Sequence, residues 1–300
     1  MKKSNRGISR VRIALALGSL LTGTLAIATP PAAPTVSIEA GRIAGQSVRM
    51  NGVALHEFFG IPYAAPPTGA LRWKPPQPVV HWTTTRTTQR FGARCMQRRI
   101  YGDMVFRDSG VSEDCLYLNV WTPAQSSAAK LPVLVYFHGG GLVAGSGSEP
   151  RYDGASLASR GIVTVTVNYR LGVFGLLALP ALSAESPHHA SGNYSLLDQV
   201  AALRWVRANI SHFGGDPARI TIGGESSGSI SVSELMASKL SRHLIAGAIG
   251  ESGAAFAPIE PLTKDEAEAR GTAFLHKLGI DSLAALRAMP AQEQIGRAHV

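Results

Sequence analysis

The sequence predicts an α/β architecture, a central and mostly parallel sheet with crossover helices, and three observations carry that expectation. Short β-branched runs bounded by turn residues recur at 132–137 ("PVLVYF"), 162–168 ("IVTVTVN") and 219–224 ("RITIGG"), lengths and compositions suited to buried strands. A helical pattern separates the last two: Leu196, Val200, Leu203, Val206 and Ile210 recur at spacings of four, three, three and four, and the pattern stops at Gly214-Gly215,. Strand and helix therefore alternate, as a parallel sheet requires. The chain has 300 residues, 45% of them apolar, ample for a large core.

The chain opens on a basic head, with Lys2, Lys3, Arg6, Arg10 and Arg12, followed by an apolar stretch from Ile13 to Ala28 that ends Ala26-Ile27-Ala28. This is the order of a signal peptide with a small-x-small cleavage site over residues 1–28. The alternative, an uncleaved membrane anchor, fits less well, because Gly18, Ser19, Thr22, Gly23 and Thr24 break a stretch already short for a span,. The expectation is bacterial export, secreted or periplasmic, with no stable membrane span after cleavage. The formal charge is +9, and removing the leader's five basic residues leaves +4. No Lys/Arg cluster with interleaved aromatics remains, which argues against nucleic-acid binding. "TPPAAPT" (29–35) reads as a linker.

From residue 36, "VSIEAGRIAGQSV" alternates around Gly41 and Gly45 as a small antiparallel hairpin does,. The six prolines of 60–80 predict an irregular loop,. The two cysteines, Cys95 and Cys115, are either a disulfide or two buried free thiols; an even pair in an exported chain favours the bridge,, whose 20-residue separation would make it worth about 3 kcal/mol in the chain-entropy model. "LYLNVW" (116–121) is a further buried strand. Beyond residue 230, Val232, Leu235, Met236 and Leu240 define one helical face, and "KDEAEARGTAFLHKLGI" and "SLAALRAM" read as amphipathic helices. His188 and His189 form a doublet without further ligands at metal-site spacing,; no metal or organic cofactor is implied.

Gly224-Glu225-Ser226-Ser227-Gly228 lies between the strand "RITIGG" and the next helix. A serine in a tight strand-to-helix turn is forced to positive φ and lifted above the sheet, and the residues two before and two after it must be small. The helix N-terminus then faces developing negative charge. Acyl transfer also needs donors for the tetrahedral oxyanion. The Ser227 amide supplies one. Gly139-Gly140-Gly141, directly after "PVLVYF", supplies peptide N–H groups with no Cβ in the way. His138 reads as a residue that orders this loop, not as the base.

These segments, with "FFGIPYAAPPTGALRWKPPQP" (58–78), "EDCLYLNVWTP" (113–123), "HGGG" (138–141), "NYRLGVFGLL" (168–177), "GNYSLLDQVAALRWVRANISHFGGDP" (192–217) and "GESSGS" (224–229), resemble the type-B carboxylesterases over about residues 36 to 290. The resemblance implies the α/β-hydrolase fold, Ser226 as nucleophile, and Gly140, Gly141 and the Ser227 amide as oxyanion donors. It implies a Cys95–Cys115 bridge, a structural Arg72–Glu113 ion pair, and Glu225 as an acid beside the nucleophile that is not its triad partner. Three positions depart from the family pattern: Ser227 for alanine, Ser195 for glycine, and Leu142 for an aromatic.

In this fold the acid and then the histidine follow the serine along the chain. His243, His276 and His299 match no family histidine motif, and the later carboxylates lie too early. The expectation is an N-terminal portion, 36–294, of one α/β-hydrolase domain whose C-terminal part is missing and which alone turns over little or no ester. A back-translation of "QIGRAHV" contains a string that reads like a common sequencing adapter, so 295–300 is expected to be a non-native tail. The expected function is hydrolysis of a small-molecule carboxylic ester through an acyl-enzyme. The alternative is a non-catalytic adhesion or binding protein on the same fold; the retained serine and glycines weigh against it.

Overall fold

The computed structural model describes residues 33–255 and 261–297. The expected leader, most of the linker and the last three residues lie outside the described residues.

Seven strands form the central sheet in the order Gly247–Glu251, Gly215–Glu225, Leu131–Phe137, Val163–Val167, Tyr117–Thr122, Val53–Pro62, Gln46–Met50. The first four are mutually parallel, and the remaining pairings are antiparallel. Five of the seven strands thus point one way, the mostly parallel sheet that the sequence predicts. Tyr117–Thr122 runs against Val163–Val167, with Val120 opposite Val165; its mostly apolar run carries no mark of direction. A small sheet contains the expected hairpin, Thr35–Ile38 against Gly41–Ala44. Thr35, placed in the linker by the sequence, is therefore already strand. The proline-rich stretch is irregular except for residues 60–62, which end the strand Val53–Pro62, and a short 3-10 turn at Gly69–Leu71.

All five residues of Val163–Val167 are buried, as expected of a strand covered on both faces,. Helix Tyr194–Asn209 lays Val200, Leu203 and Val206 on the core with Ile210, and the turn after it stops at Gly214, φ 76°. At that angle glycine carries no Cβ penalty. Helix Ser227–Ala237 buries Val232 and Leu235, but the expected face stops there. Met236 is 52% exposed, and Leu240 lies beyond the end of the helix because Ser238 is already extended. Helix Lys264–Leu278 starts at a Thr263–Glu266 capping box and ends at Gly279, φ 66°,. The last helix, Ala291–Arg297, continues across the boundary expected at Gln294 and packs Ile295 with Met96 and Phe174.

Cys95 and Cys115 are disulfide-bonded, Cα to Cα 4.9 Å. Arg72 donates two 2.6 Å hydrogen bonds to Glu113, the fork-to-fork geometry that suits guanidinium and carboxylate,. Its remaining terminal nitrogen donates to the carbonyls of Arg287 and Met289, at 3.0 and 2.9 Å. One arginine thus ties the disulfide loop to the end of helix Leu283–Ala288.

Candidate active site

Parallel pairing sets the geometry of the site. Gly224 lies opposite Phe137, so the strand Gly215–Glu225 and the strand Leu131–Phe137 end side by side. The residues that leave those two ends, Ser226 and the 138–141 loop, therefore emerge together at the carboxyl edge of the sheet, where open α/β sheets place their sites.

Ser226 has φ 54° and ψ −124° at the head of helix Ser227–Ala237. Its amide donates to the Glu251 carbonyl at 2.8 Å, and its own carbonyl accepts from Ile230 at 3.1 Å, so the strained turn is held from both sides,. A Cβ on Gly224 would stand 2.5 Å from the Gly228 carbonyl, and one on Gly228 would stand 2.2 Å from the Phe137 carbonyl. Two strands and a helix meet at these glycines, which is why the turn needs small residues at both. Ser226 is half-buried.

The glycine loop packs directly on this turn. A Cβ on Gly139 would come within 3.2 Å of Cβ of Ser226 and 2.8 Å of Oε2 of Glu225. Glu225 therefore lies beside the Ser226 turn, the place the resemblance implies for it. Gly140 and Gly141 have φ 107° and 65°. The Gly140 carbonyl accepts from the amides of Val143 and Ala144, both at 3.1 Å, closing the loop into a turn. Among the described residues, neither the Gly140 nor the Gly141 amide donates to another backbone group.

The hydroxyl at position 227, one of the three departures, has a structural use. Ser227 Oγ accepts a 3.2 Å hydrogen bond from the Leu142 amide, joining loop to elbow. Leu142 itself adopts φ 57°. Ser195, the second departure, donates to the Arg170 carbonyl at 2.5 Å and lies beneath Gly175, where a Cβ would meet its Oγ.

His138 orders the loop, as the sequence suggests. It is fully buried, its Nδ1 lies 2.8 Å from the Gly139 carbonyl, and its ring stacks on Tyr169 at 4.4 Å. A carbonyl only accepts, so Nδ1 carries the proton. The Tyr169 hydroxyl donates to the His138 carbonyl at 2.5 Å. Burial pushes the imidazole down to about 4,. The unfolded chain takes up that proton near pH 6.5, so folding stability falls as pH drops from about 6.5 to about 4 and this contribution is flat below that. The loss is about 3 kcal/mol. Urea midpoints at pH 7 and 4.5 should show this drop in the wild type and a smaller one in His138→Asn.

The structure also supplies partners that no local pattern signals. Gln97, from the disulfide loop, accepts from the Gly145 amide at 2.9 Å and donates to the Gly145 carbonyl at 2.8 Å. Tyr101 and Met104 flank the glycines: a Cβ on Gly141 would lie 3.4 Å from the Tyr101 hydroxyl, and one on Gly140 would lie 3.0 Å from Cε of Met104. Of the histidines after Ser226, His243 stands in the short turn Arg242–Leu244 and His276 in helix Lys264–Leu278, while His299 lies outside the described residues.

The chain resembles known proteins in the same terms. It is 47% identical over 252 residues to a fumonisin B1 esterase of Sphingopyxis macrogoltabida, covering 83% of this chain and 45% of that one. It is 42% identical over 248 residues to a para-nitrobenzyl esterase of Bacillus subtilis strain 168, covering 82% and 48%. A solved thermophilic PNB esterase superposes with a TM-score of 0.79 at 40% identity, covering 88% of this chain and 53% of its own. The chain thus spans about half the length of the relatives it matches. The Carboxylesterase family model matches residues 32–296, and with a serine elbow and glycine loop built on an α/β-hydrolase sheet, the chain belongs to the Carboxylesterase family.

Proposed function

We propose that this chain carries the nucleophile and oxyanion half of an exported serine carboxylic ester hydrolase. Ser226 Oγ attacks the ester carbonyl, and the amides of Gly140, Gly141 and Ser227 hold the oxyanion. The acyl–oxygen bond breaks, the alcohol leaves with the serine's proton, and water releases the acid from the acyl-enzyme. The observation that carries this reading is the pairing of a positive-φ serine at a helix head with a glycine loop whose Gly140 and Gly141 amides are uncommitted to backbone acceptors among the described residues.

The base and the acid are assigned to sequence outside this chain, in keeping with its span of about half the length of its relatives. On that reading the 300 residues alone turn over little or no ester. Export accords with the disulfide, since such bonds persist in oxidising compartments,. No described helix is long and apolar enough to cross a membrane.

A fluorophosphonate probe is expected to modify Ser226 in the intact gene product and to leave Ser226→Ala unlabelled. An unlabelled wild type would favour the rival, a binding protein on this fold.

A further inference from the structure

The loop closed by Cys95 and Cys115 packs directly on the glycine loop, through Gln97 at Gly145, Met104 at Gly140 and Tyr101 at Gly141. What this loop presents there therefore lies beside the proposed oxyanion donors Gly140 and Gly141.

The charges of the loop balance unevenly. Its acids are all engaged: Asp103 with Arg151, Asp108 with Arg94, Glu113 with Arg72, and Asp114 with the Tyr117 hydroxyl. One of its own cations is spent as well, Arg107 on Asp153, while Asp108 is held by Arg94, which immediately precedes the loop. Arg98 and Arg99 remain. Both are exposed, and neither is paired with a carboxylate among the described residues. Both line a cavity of about 290 Å³ together with Gln97, Met104 and Phe106. Gln97 and Met104 are also the residues that touch Gly145 and Gly140, which puts the cavity next to the glycine loop.

A guanidinium's planar donors match a carboxylate, and two of them without a partner in a cavity raise the local concentration of an anionic ligand. We propose that the preferred substrates are esters bearing a free carboxylate, such as half-esters of dicarboxylic acids, with Arg98 and Arg99 receiving the carboxylate while the ester carbonyl lies over Ser226. This rests on the esterase reading given above. The reaction is unchanged: water adds across the acyl–oxygen bond to give acid and alcohol.

The test uses the intact gene product with two matched pairs: mono-p-nitrophenyl glutarate against p-nitrophenyl butyrate, and 4-carboxyphenyl butyrate against phenyl butyrate. The wild type should prefer the anionic member of at least one pair, and Arg98→Gln/Arg99→Gln should reduce that preference about tenfold in kcat/KM. Raising ionic strength should shrink the wild-type preference as well. Arg160→Gln removes an exposed charge at the far, amino-terminal end of the strand Val163–Val167 and should leave the preference in place. Hydrolysis of all four esters with a preference that the double variant does not change overturns the proposal and leaves the esterase reading standing. No hydrolysis of any of them, with Ser226 unlabelled by fluorophosphonate, overturns both.

Discussion

Asp198→Ala is expected to lower the unfolding free energy by about 3–5 kcal/mol, the usual consequence of stranding one member of a buried ion pair. Asp198 is fully buried, and the Arg170 side chain is 3% exposed. Two 2.7 Å hydrogen bonds join the guanidinium to both carboxylate oxygens, and the Arg170 amide adds a third at 3.1 Å. Burial pushes the Asp198 carboxyl up, and the adjoining Arg170 guanidinium pulls it part of the way back. Arg170 follows the strand Val163–Val167, and Asp198 sits in helix Tyr194–Asn209. The pair therefore fastens a crossover helix to the sheet that carries the site. The loss comes from an uncompensated buried charge more than from a missing attraction, so Arg170→Met/Asp198→Leu should recover most of the lost stability. Urea midpoints of the three proteins at one pH decide it: a double variant as unstable as Asp198→Ala would show that the attraction itself carries the stability.

The elements that place Ser226 were legible because their causes are local. A β-branched run, Gly224, Gly228 and a helical period dictate a turn that the structure reproduces, down to the positive φ of Ser226. The stop at Gly214 is of the same kind. Other features depend on partners distant in sequence. The run at 117–122 reads as a buried strand in either direction, and only its neighbour Val163–Val167 makes it antiparallel. Met236 and Leu240 continue the periodic apolar pattern, yet the backbone leaves the helix at Ser238, so period alone overran the boundary. Gln97 bears no motif; its importance lies in reaching Gly145, 48 positions on. The charge balance of the disulfide loop is hidden for the same reason, since Arg151, Arg72 and Asp153 all lie outside it in sequence.

At the glycine loop the two proposed donors should respond unequally to a methyl group. Gly140 has φ 107°, beyond the left-handed region that other residues visit, and a Cβ there would stand 2.2 Å from the Ala144 carbonyl oxygen and 2.8 Å from its carbon. That carbonyl belongs to backbone fixed by the turn that Gly140 itself closes, so it has nowhere to yield. Gly140→Ala must therefore displace the loop and its amides. Loss of an oxyanion donor lowers kcat about 10²–10³-fold, and the rate at which fluorophosphonate phosphonylates Ser226, with loss of fluoride, should fall by a similar factor, with far-ultraviolet circular dichroism unchanged. Gly141 is different. Its φ of 65° is one that alanine adopts at a cost of about 1–2 kcal/mol, and the nearest atom to an added Cβ is the Tyr101 hydroxyl at 3.4 Å. Gly141→Ala should keep most of the phosphonylation rate while lowering the urea midpoint. Equal rates in Gly140→Ala and wild type would mean that the amides of this loop do not hold the oxyanion.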